Sequence, residues 1–335
     1  MQWTPAAFSE PTAGQLRCTL CPHHCKLGPG AVGQCGVRRH GDGGMQTLAH
    51  ATAVQHLDTV ERKPFYHYRP GTRVLTLSAP GCSFRCLYCQ NYRLSQYGRE
   101  PSVPWTAAPV DVAAVLDAAT EAKAAIAFSY TEPTLAVELT LALGEAAAER
   151  GVAIVWKSNG FITAAAIDAA APHLAAVNID IKAAHDRQHE ALTGAPLSPV
   201  LAAITRFLER GVWVEISTPL IPGLNDTAAA QRQLAALIAT YGRDVPWHLV
   251  RFVPDFRMQR AKPTPAGVLS QAVDIAHDAG LHHVYVERAL GPSARNTFCP
   301  GCGVEVVERD VWALRRIRLT DGHCPTCHGV VAGRW

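Results

Sequence analysis

The sequence lacks a surplus of charge of either sign. Its 335 residues include 31 lysines and arginines against 28 aspartates and glutamates, which gives a formal net charge of +3. Because basic and acidic residues are nearly equal in number, the chain does not have the excess of positive charge that binds nucleic acid or anionic membranes. The sequence also lacks an apolar run long enough to span a bilayer, since even the apolar stretch 135–143 is interrupted by Glu138. We expect neither a nucleic-acid partner nor a membrane partner.

A secretion signal and a disulfide framework are absent as well. The first residues do not combine a basic segment with a following apolar one, so we predict no signal peptide. The 11 cysteines lie in three tight groups, within 18–35, 82–89 and 299–327. An odd number and local clustering favour metal sites in a reducing compartment over disulfides. We therefore expect a cytoplasmic protein with three metal-binding segments.

The central cysteine group is Cys82, Cys86 and Cys89, with C-x3-C-x2-C spacing. It follows the apolar run 74–79, which we predict to be a strand, and a Pro-Gly turn. Three thiolates on one loop can bind three irons of a four-iron cluster and leave the fourth iron open to another ligand. The alternative is three buried or zinc-binding cysteines, but zinc usually requires four ligands and this loop contains no histidine.

This loop resembles the signature of the radical S-adenosylmethionine (SAM) enzymes, including the aromatic Tyr88 directly before the third cysteine. The resemblance implies a [4Fe–4S] cluster held by Cys82, Cys86 and Cys89, with SAM as a second cofactor near Tyr88. It also implies an electron donor such as flavodoxin or ferredoxin. The implied activity is reductive cleavage of SAM, which releases methionine and forms a deoxyadenosyl radical that abstracts hydrogen from a substrate.

From residue 74 onward, short β-rich runs alternate with alanine-rich helical segments. Such alternation indicates βαβ units and a parallel sheet. Six units are fewer than the eight of a closed barrel, so we predict an α/β fold with an open, partial (β/α)6 barrel, which the resemblance also implies. A weaker run at 283–287 predicts a further edge strand. The predicted strands are 74–79, 125–130, 152–156, 177–181, 212–217 and 247–252, with helices near 110–121, 135–149, 163–170, 199–209, 227–240 and 267–279.

Glu132 follows the second predicted strand. In radical SAM enzymes the corresponding segment is glycine-rich, ends in Glu-Pro and binds the methionine amino group, whereas Tyr130 and Thr131 replace the glycines here. A carboxylate at a strand end suits an ammonium group, so we predict that Glu132 binds SAM. The alternative is a helix-start acid favoured by the helix dipole.

Two further pairs of polar residues are predicted to bind SAM. Ser158 and Asn159 follow the third strand and resemble the Thr-Asn-Gly turn of the activase branch of the family. Asp180 and Lys182 alternate on one face of the fourth strand. In a barrel that face points inward, where charges need partners or a ligand, and SAM offers both.

The N-terminal cysteine group is Cys18, Cys21, Cys25 and Cys35, with C-x2-C-x3-C-x9-C spacing. Four thiolates suit tetrahedral zinc and equally an auxiliary iron–sulfur cluster, and both assignments stay open. Residues 1–17 have no periodic pattern and are predicted to be loop. The charged and aromatic segment 61–68 either lines a substrate cavity or forms a solvated loop.

The C-terminal cysteine group is Cys299, Cys302, Cys324 and Cys327, with C-x2-C-x21-C-x2-C spacing. Two such pairs are typical of a zinc-ribbon or rubredoxin-like module. Alternation within 304–319 predicts a hairpin between the pairs. We expect zinc, or a second iron site, in a structural role.

Over most of its length the sequence resembles the radical SAM enzymes of the AmmeMemoRadiSam system, relatives of pyruvate formate-lyase activating enzyme. The matching motifs are the N-terminal and C-terminal cysteine groups, the lead-in 63–67 and the segments 81–91 and 130–133. We predict three parts: an N-terminal extension (1–70), a partial barrel (71–290) and a C-terminal module (291–335).

The resemblance implies an oxidoreductase of the activase type. Its substrate is a protein, for instance another member of that system, or a small molecule. A non-catalytic metal-binding scaffold is the alternative of a different class, and intact Cys82, Cys86, Cys89 and Glu132 disfavour it.

Overall fold

The structure is a computed structural model that describes residues 2–100 and 106–335. Its strands, numbered in chain order, are β1 (Thr4–Pro5), β2 (Ser9–Thr12), β3 (Gln15–Cys18), β4 (Lys26–Leu27), β5 (Arg38–Gly41), β6 (Gly44–Thr47), β7 (Ala51–Thr52), β8 (Gln55–Thr59), β9 (Arg73–Leu77), β10 (Ala108–Pro109), β11 (Ala124–Phe128), β12 (Ile154–Ser158), β13 (Ala176–Asp180), β14 (Trp213–Leu220), β15 (Trp247–Arg251), β16 (Val284–Tyr285), β17 (Thr297–Phe298), β18 (Glu305–Arg309) and β19 (Leu314–Ile317).

The helices follow the same order. They are α1 (Tyr92–Ser95), α2 (Val112–Glu121), α3 (Val137–Glu149), α4 (Ala164–Ala170), α5 (Asp186–Thr193), α6 (Ser198–Glu209), α7 (Ala228–Ala239) and α8 (Ala266–Asp278). Short 3₁₀ segments lie at Val60–Arg62, Pro133–Ala136, Ala171–His173, Phe256–Met258 and Pro292–Ala294. Among the described residues no single helix is long and apolar enough to cross a membrane, and only α5 and α6 taken together pass that test of length and composition.

The chain divides into two compact units. The first contains Met1–Asp58, Arg73–Val177 and Ser198–Val212, and the second contains Thr59–Thr72, Asn178–Leu197 and Trp213–Trp335. The division falls within β13. All six predicted barrel strands overlap observed strands, namely β9, β11, β12, β13, β14 and β15.

Parallel strands form the centre of the first unit. Strand β11 lies between β9 and β12 and runs parallel to both. All five residues of β11 are buried, as expected for a parallel strand covered on both faces. Helix α2 begins at Asp111, whose carboxylate accepts a hydrogen bond from the Ala114 N–H at 3.1 Å. Because the strands are parallel, their carboxyl ends meet at one edge of the sheet.

The amino-terminal part of the first unit is not the loop that we predicted for residues 1–17. Strands β2, β3 and β4 form one antiparallel sheet, and β1, β6 and β5 form another. These strands are at most four residues long and largely polar. Such short segments show no usable alternation, so their pairing is set by local turns, for example at Gly14 with φ +77°.

The second unit contains the parallel strands β14, β15 and β16. The weak run predicted as an edge strand is thus confirmed as β16. Helix α7 begins at Thr227, whose hydroxyl accepts a hydrogen bond from the Ala230 N–H at 3.2 Å. Helix α5 was not predicted from the sequence because it is short and mostly polar. It ends at Gly194 with φ +79°, a left-handed conformation that glycine adopts readily.

The C-terminal module of the second unit is a small antiparallel sheet in the order β17, β18, β19. The hairpin predicted within 304–319 is confirmed as β18 and β19. Val306, Val307 and Val331 form its core together with two cysteines of the C-terminal group, Cys299 and Cys324.

Candidate functional site

The central cysteine group lies on the loop that leaves the carboxyl end of β9. Gly81, directly before the first cysteine, has φ +85°. A Cβ atom there would lie 2.7 Å from the backbone oxygen of Cys35, so only glycine fits this turn. The side chains of Cys82, Cys86 and Cys89 are half-buried.

The donor set of this loop suits an iron–sulfur cluster. The Phe84 N–H donates to Cys82 Sγ at 3.3 Å, and the Asn159 side-chain amide donates to the same sulfur at 3.5 Å. Such donors stabilise the thiolate form, which is the metal-binding form. Burial, followed by the negative charges of Glu132 and Cys86, raises the pKa of the Cys82 thiol. The thiolate therefore needs positive charge close by, which metal ions supply.

Arg99 fixes the backbone of the loop, a contact that we did not predict. Its guanidinium donates to the carbonyl oxygen of Phe84 at 3.0 Å and to that of Cys82. Arg99 comes ten residues after Cys89 and no spacing rule singles it out, so the sequence carries no signal for this role.

Glu132 lies at the carboxyl end of β11 and is almost fully buried. Its carboxylate accepts hydrogen bonds from the Thr134 N–H at 2.9 Å, the Ser158 hydroxyl at 2.8 Å and the Asn159 N–H at 2.7 Å. Burial raises the pKa of Glu132, while these donors oppose that shift. Glu132 also caps the 3₁₀ segment Pro133–Ala136, so the predicted helix-start role and a role at the strand edge coexist.

The structure thus brings three of the predicted SAM-binding residues together with Cys82. Asn159 connects Glu132 to the cysteine loop, because its side-chain amide also donates to the Ser83 hydroxyl at 3.0 Å. A carboxylate offers about four lone-pair positions. The three observed bonds therefore leave Glu132 room for one more donor.

One of the two residues that replace the expected glycines adopts a backbone conformation that favours glycine. Tyr130 has φ +71°, in the region that favours glycine. The Thr131 hydroxyl donates to the backbone oxygen of Ala79 at 2.6 Å. The segment before Glu132 is thereby attached to the start of the cysteine loop. Tyr88, predicted to lie near SAM, is half-buried on that loop.

Asp180 and Lys182 belong to the second unit. The Lys182 ammonium lies 2.9 Å from the Asp180 carboxylate, so each charge has the other as a partner. The Asn225 amide donates to the Lys182 backbone oxygen at 3.0 Å. The Asn225 side chain is also buried against the loop after β14, where it accepts from the Ile221 N–H at 2.6 Å.

A buried polar network in the second unit escaped our sequence analysis. Glu215 is fully buried. Its carboxylate accepts hydrogen bonds from the Tyr66 and His67 N–H groups at 3.0 and 2.8 Å, and lies 2.6 Å from His248 Nε2. The segment 61–68 is therefore not a solvated loop. The sequence signal for this network was Glu215 itself, a single acid among the apolar residues of β14, since a buried charge needs hydrogen-bond partners.

The other two cysteine groups differ from each other. The four Sγ atoms of the C-terminal group lie within 4.8 Å of one another, so they can bind a metal ion. The N-terminal group surrounds a cavity of about 10 Å³ in the first unit. Two of its members, Cys21 and Cys35, have raised thiol pKa values, caused mainly by burial.

Comparison with known proteins defines the class. Residues 76–231 match the model of the radical SAM superfamily. The chain is 32% identical over 307 residues to the uncharacterized protein MJ0808 of Methanocaldococcus jannaschii, an alignment that covers 91% of each chain. The chain therefore belongs to the radical SAM superfamily, whose members are enzymes and whose fold implies a [4Fe–4S] cluster and SAM.

Further similarities are partial. The chain is 30% identical over 165 residues to the isethionate sulfite-lyase activating enzyme of Desulfovibrio desulfuricans, covering 45% of this chain and 53% of that enzyme. It therefore spans about half of that relative's length. Streptococcus suis SuiB bound to S-adenosylmethionine has a TM-score of 0.51 at 12% identity, covering 68% of this chain and 53% of SuiB, and it shares the fold. A domain of pyruvate-formate lyase-activating enzyme from Bacteroides vulgatus has a TM-score of 0.42 at 18% identity, covering 48% of this chain and 98% of that domain.

Proposed function

We propose that this protein reductively cleaves SAM and uses the resulting deoxyadenosyl radical to abstract hydrogen from a substrate. The observation that carries the proposal is the chain of hydrogen bonds from Glu132 through Asn159 to Cys82. It connects the predicted SAM-binding residues of two strand ends to the predicted cluster ligands. Within the first unit, this places a carboxylate, an amide and a thiol at the same edge of the parallel sheet.

In this proposal Cys82, Cys86 and Cys89 hold a [4Fe–4S] cluster. When bound, the cluster supplies the electron that breaks a carbon–sulfur bond of SAM, with release of methionine. The chain positions the reactants and excludes water. Phe84 is buried and its ring lies 5.4 Å from that of Phe161, which supports a dry wall behind the cysteine loop.

For SAM itself we propose Tyr88, Glu132, Ser158 and Asn159 as contacts on the first unit. With its remaining lone-pair position, the Glu132 carboxylate accepts a hydrogen bond from the ammonium group of the methionine moiety. Asp180 and Lys182 are also proposed as SAM contacts, on the sequence argument, and their mutual ion pair keeps both charges satisfied before SAM binds.

We propose a protein as the substrate. The support is the similarity to an activating enzyme that is named for its target, isethionate sulfite-lyase. From the resemblance of its sequence motifs we also propose that the protein belongs to the AmmeMemoRadiSam system, whose other proteins are the first partners to test. A flavodoxin or ferredoxin in a reducing cytoplasm is the proposed electron donor. The proposed functional parts remain 1–70, 71–290 and 291–335.

The test is SAM cleavage by anaerobically reconstituted protein. With SAM and dithionite we expect equal amounts of methionine and deoxyadenosine, and none from a Cys82→Ala, Cys86→Ala, Cys89→Ala triple variant that has also lost about one cluster's worth of iron. Glu145→Gln, an exposed change on α3, is the control. Full iron content and activity in the triple variant would disprove the assignment. Transfer of deuterium from a deuterated protein or small-molecule candidate into deoxyadenosine then separates the two substrate classes.

A further inference from the structure

Helix α1 contacts the cysteine loop of the first unit at two points. The Gly81 N–H donates to the Leu94 carbonyl at 3.4 Å, and Cys89 Sγ lies 3.1 Å from the hydroxyl oxygen of Ser95. Gly81 comes directly before the first cysteine of the loop and Cys89 is the third, so the two contacts reach both ends of the loop. Because α1 is only four residues long, contacts of this kind and not helix propensity hold it in place.

The hydroxyl of Ser95 is buried and has a second partner. Ser95 is 2% exposed and Gln96 is 4% exposed. The side-chain amide of Gln96 donates to the Ser95 oxygen at 3.0 Å. A hydroxyl whose oxygen accepts from an amide keeps its own proton for another acceptor, and Cys89 Sγ lies within hydrogen-bond distance. The Gln96 amide therefore directs the Ser95 proton toward this sulfur.

Metal binding by Cys89 fixes the direction of this hydrogen bond. A metal-bound cysteine is a thiolate, which has no proton to donate. Between a thiolate and a hydroxyl, only the hydroxyl can be the donor. The bond then runs from the Ser95 O–H to Cys89 Sγ, and it stabilises negative charge on the sulfur.

The donors to Cys89 and to Cys82 come from different parts of the chain. Cys82 Sγ accepts from the Phe84 N–H at 3.3 Å and from the Asn159 amide at 3.5 Å, and the first of these donors belongs to the backbone of the loop. The donor to Cys89 is a side chain that follows the loop. Ser95 can therefore be replaced without removing a backbone donor, so that its effect on the sulfur can be measured by itself.

We propose that Ser95 and Gln96 form a positioning pair that raises the reduction potential of the iron–sulfur cluster bound at this loop. Ser95 acts on Cys89 directly, and Gln96 acts through Ser95 by orienting its hydroxyl. The proposal rests on the proposed function, since it requires Cys89 to be a ligand of the cluster.

The physical reason is the charge that reduction adds. Reduction adds one electron to the cluster, and no bond of the chain forms or breaks. Part of the added negative charge resides on the ligand sulfurs, so a hydrogen bond to Cys89 Sγ is stronger in the reduced state. Hydrogen bonds to the sulfurs are among the factors that set the potential of such clusters. The pair thus makes reduction by a low-potential donor easier and lowers the driving force for passing the electron on.

A redox titration of the anaerobically reconstituted full chain, followed by electron paramagnetic resonance of the reduced cluster, tests the role of Ser95. Ser95→Ala should lower the equilibrium constant for reduction roughly tenfold, which is about 59 mV for a one-electron couple. Thr205→Ala is the control, because it removes an exposed hydroxyl from α6 of the same unit, and it should leave the potential unchanged. Equal potentials in Ser95→Ala and the parent would overturn the proposal.

The role of Gln96 is tested by Gln96→Leu, alone and together with Ser95→Ala. The single variant should lower the potential by less than Ser95→Ala, because the hydroxyl remains but is no longer oriented. In the double variant Gln96→Leu should add nothing, since the residue through which Gln96 acts has been removed. Additive shifts would overturn the pair. So would an unchanged potential in Gln96→Leu, even if Ser95→Ala failed to take up iron.

Electron–nuclear double resonance gives a readout that a purely structural role of Ser95 would not change. The reduced parent should show a coupling to an exchangeable proton, lost in deuterium oxide, that Ser95→Ala lacks; identical couplings in the two proteins would contradict the hydrogen bond to Cys89. A parent that shows the expected shifts and cleaves no SAM would contradict the proposed function and leave the pair standing. A parent that binds no iron at this loop would overturn both.

Discussion

Replacing Glu132 by glutamine tests whether this buried acid organises the site before SAM arrives. Both carboxylate oxygens already serve donors of the chain: Thr134 and Ser158 on Oε1, and Asn159 on Oε2. A glutamine has only one oxygen and must present its amide NH₂ to at least one of these donors. Asn159 would then lose its anchor, and with it the position of the amide that contacts Cys82.

The magnitude follows from the bonds lost. A charge-assisted hydrogen bond contributes about 1.5–3 kcal/mol, and a buried donor left without an acceptor costs about 1–3 kcal/mol. We therefore expect Glu132→Gln to lower the free energy of unfolding of the SAM-free protein by about 2.5–6 kcal/mol. SAM affinity should fall roughly ten- to a hundredfold, which corresponds to one further bond of this kind.

Chemical denaturation of the SAM-free, cluster-loaded protein measures the first effect, and equilibrium binding of SAM measures the second. The exposed Glu145→Gln on α3 removes the same charge from the same unit and should change stability by less than about 0.5 kcal/mol. If Glu132→Gln is as stable as the parent and only SAM binding weakens, the carboxylate does not organise the site and our account of the Asn159 connection is wrong.

Three other predictions concern the second unit. Glu215→Gln should lower the free energy of unfolding by about 3–5 kcal/mol, because it breaks a fully buried charged network. Glu190→Gln, an exposed change on α5 of the same unit, should not, and equal denaturation midpoints for the two variants would contradict this. Burial lowers the pKa of His189 and His283 to about 4 from 6.5, so both side chains are neutral in the folded protein. Their contribution to the free energy of unfolding should be complete above pH 6.5 and should decline between pH 6.5 and 4 by up to about 1.4 kcal/mol per pH unit for each histidine. A free energy of unfolding that stays constant over this pH range would refute the prediction. Cys302→Ser should release about one metal ion per chain and leave the iron of the central group unchanged, as measured by metal analysis.

The parallel strands were predictable because they are short runs of mostly buried residues. The five residues of β11 are all apolar and all buried, so hydrophobicity alone marks them. Glycines such as Gly151, which has φ +65° just after α3, mark helix ends through their left-handed conformation. The C-terminal cysteine group was recognisable for a different reason, since metal geometry restricts the spacings at which four sulfurs can meet around one ion. Both signals are local in sequence.

What the sequence could not provide is the set of partners that meet only after folding. Nothing near Glu132 in the chain predicts that Asn159, 27 residues later, donates to it. The mutual ion pair of Asp180 and Lys182 satisfies charges that we had expected a ligand to satisfy. The amino-terminal strands were missed because β2 and β3 are stabilised by pairing with each other and not by burial of an apolar face.

The C-terminal module also has partners that only folding brings together, although its cysteine spacing alone indicates a separate appendage. Arg309 on β18 donates to the Tyr66 carbonyl at 2.5 Å and to the Thr297 hydroxyl at 2.8 Å. Tyr66 in turn donates its N–H to Glu215, so the module contacts the network that supports β14. Removing residues 297–335 would leave the Tyr66 carbonyl without this donor in a buried setting, and an unpaired buried polar group costs about 1–3 kcal/mol. The module therefore stabilises the second unit through Arg309 independently of any metal, and for this reason single cysteine substitutions, not truncation, separate its metal site from its structural role.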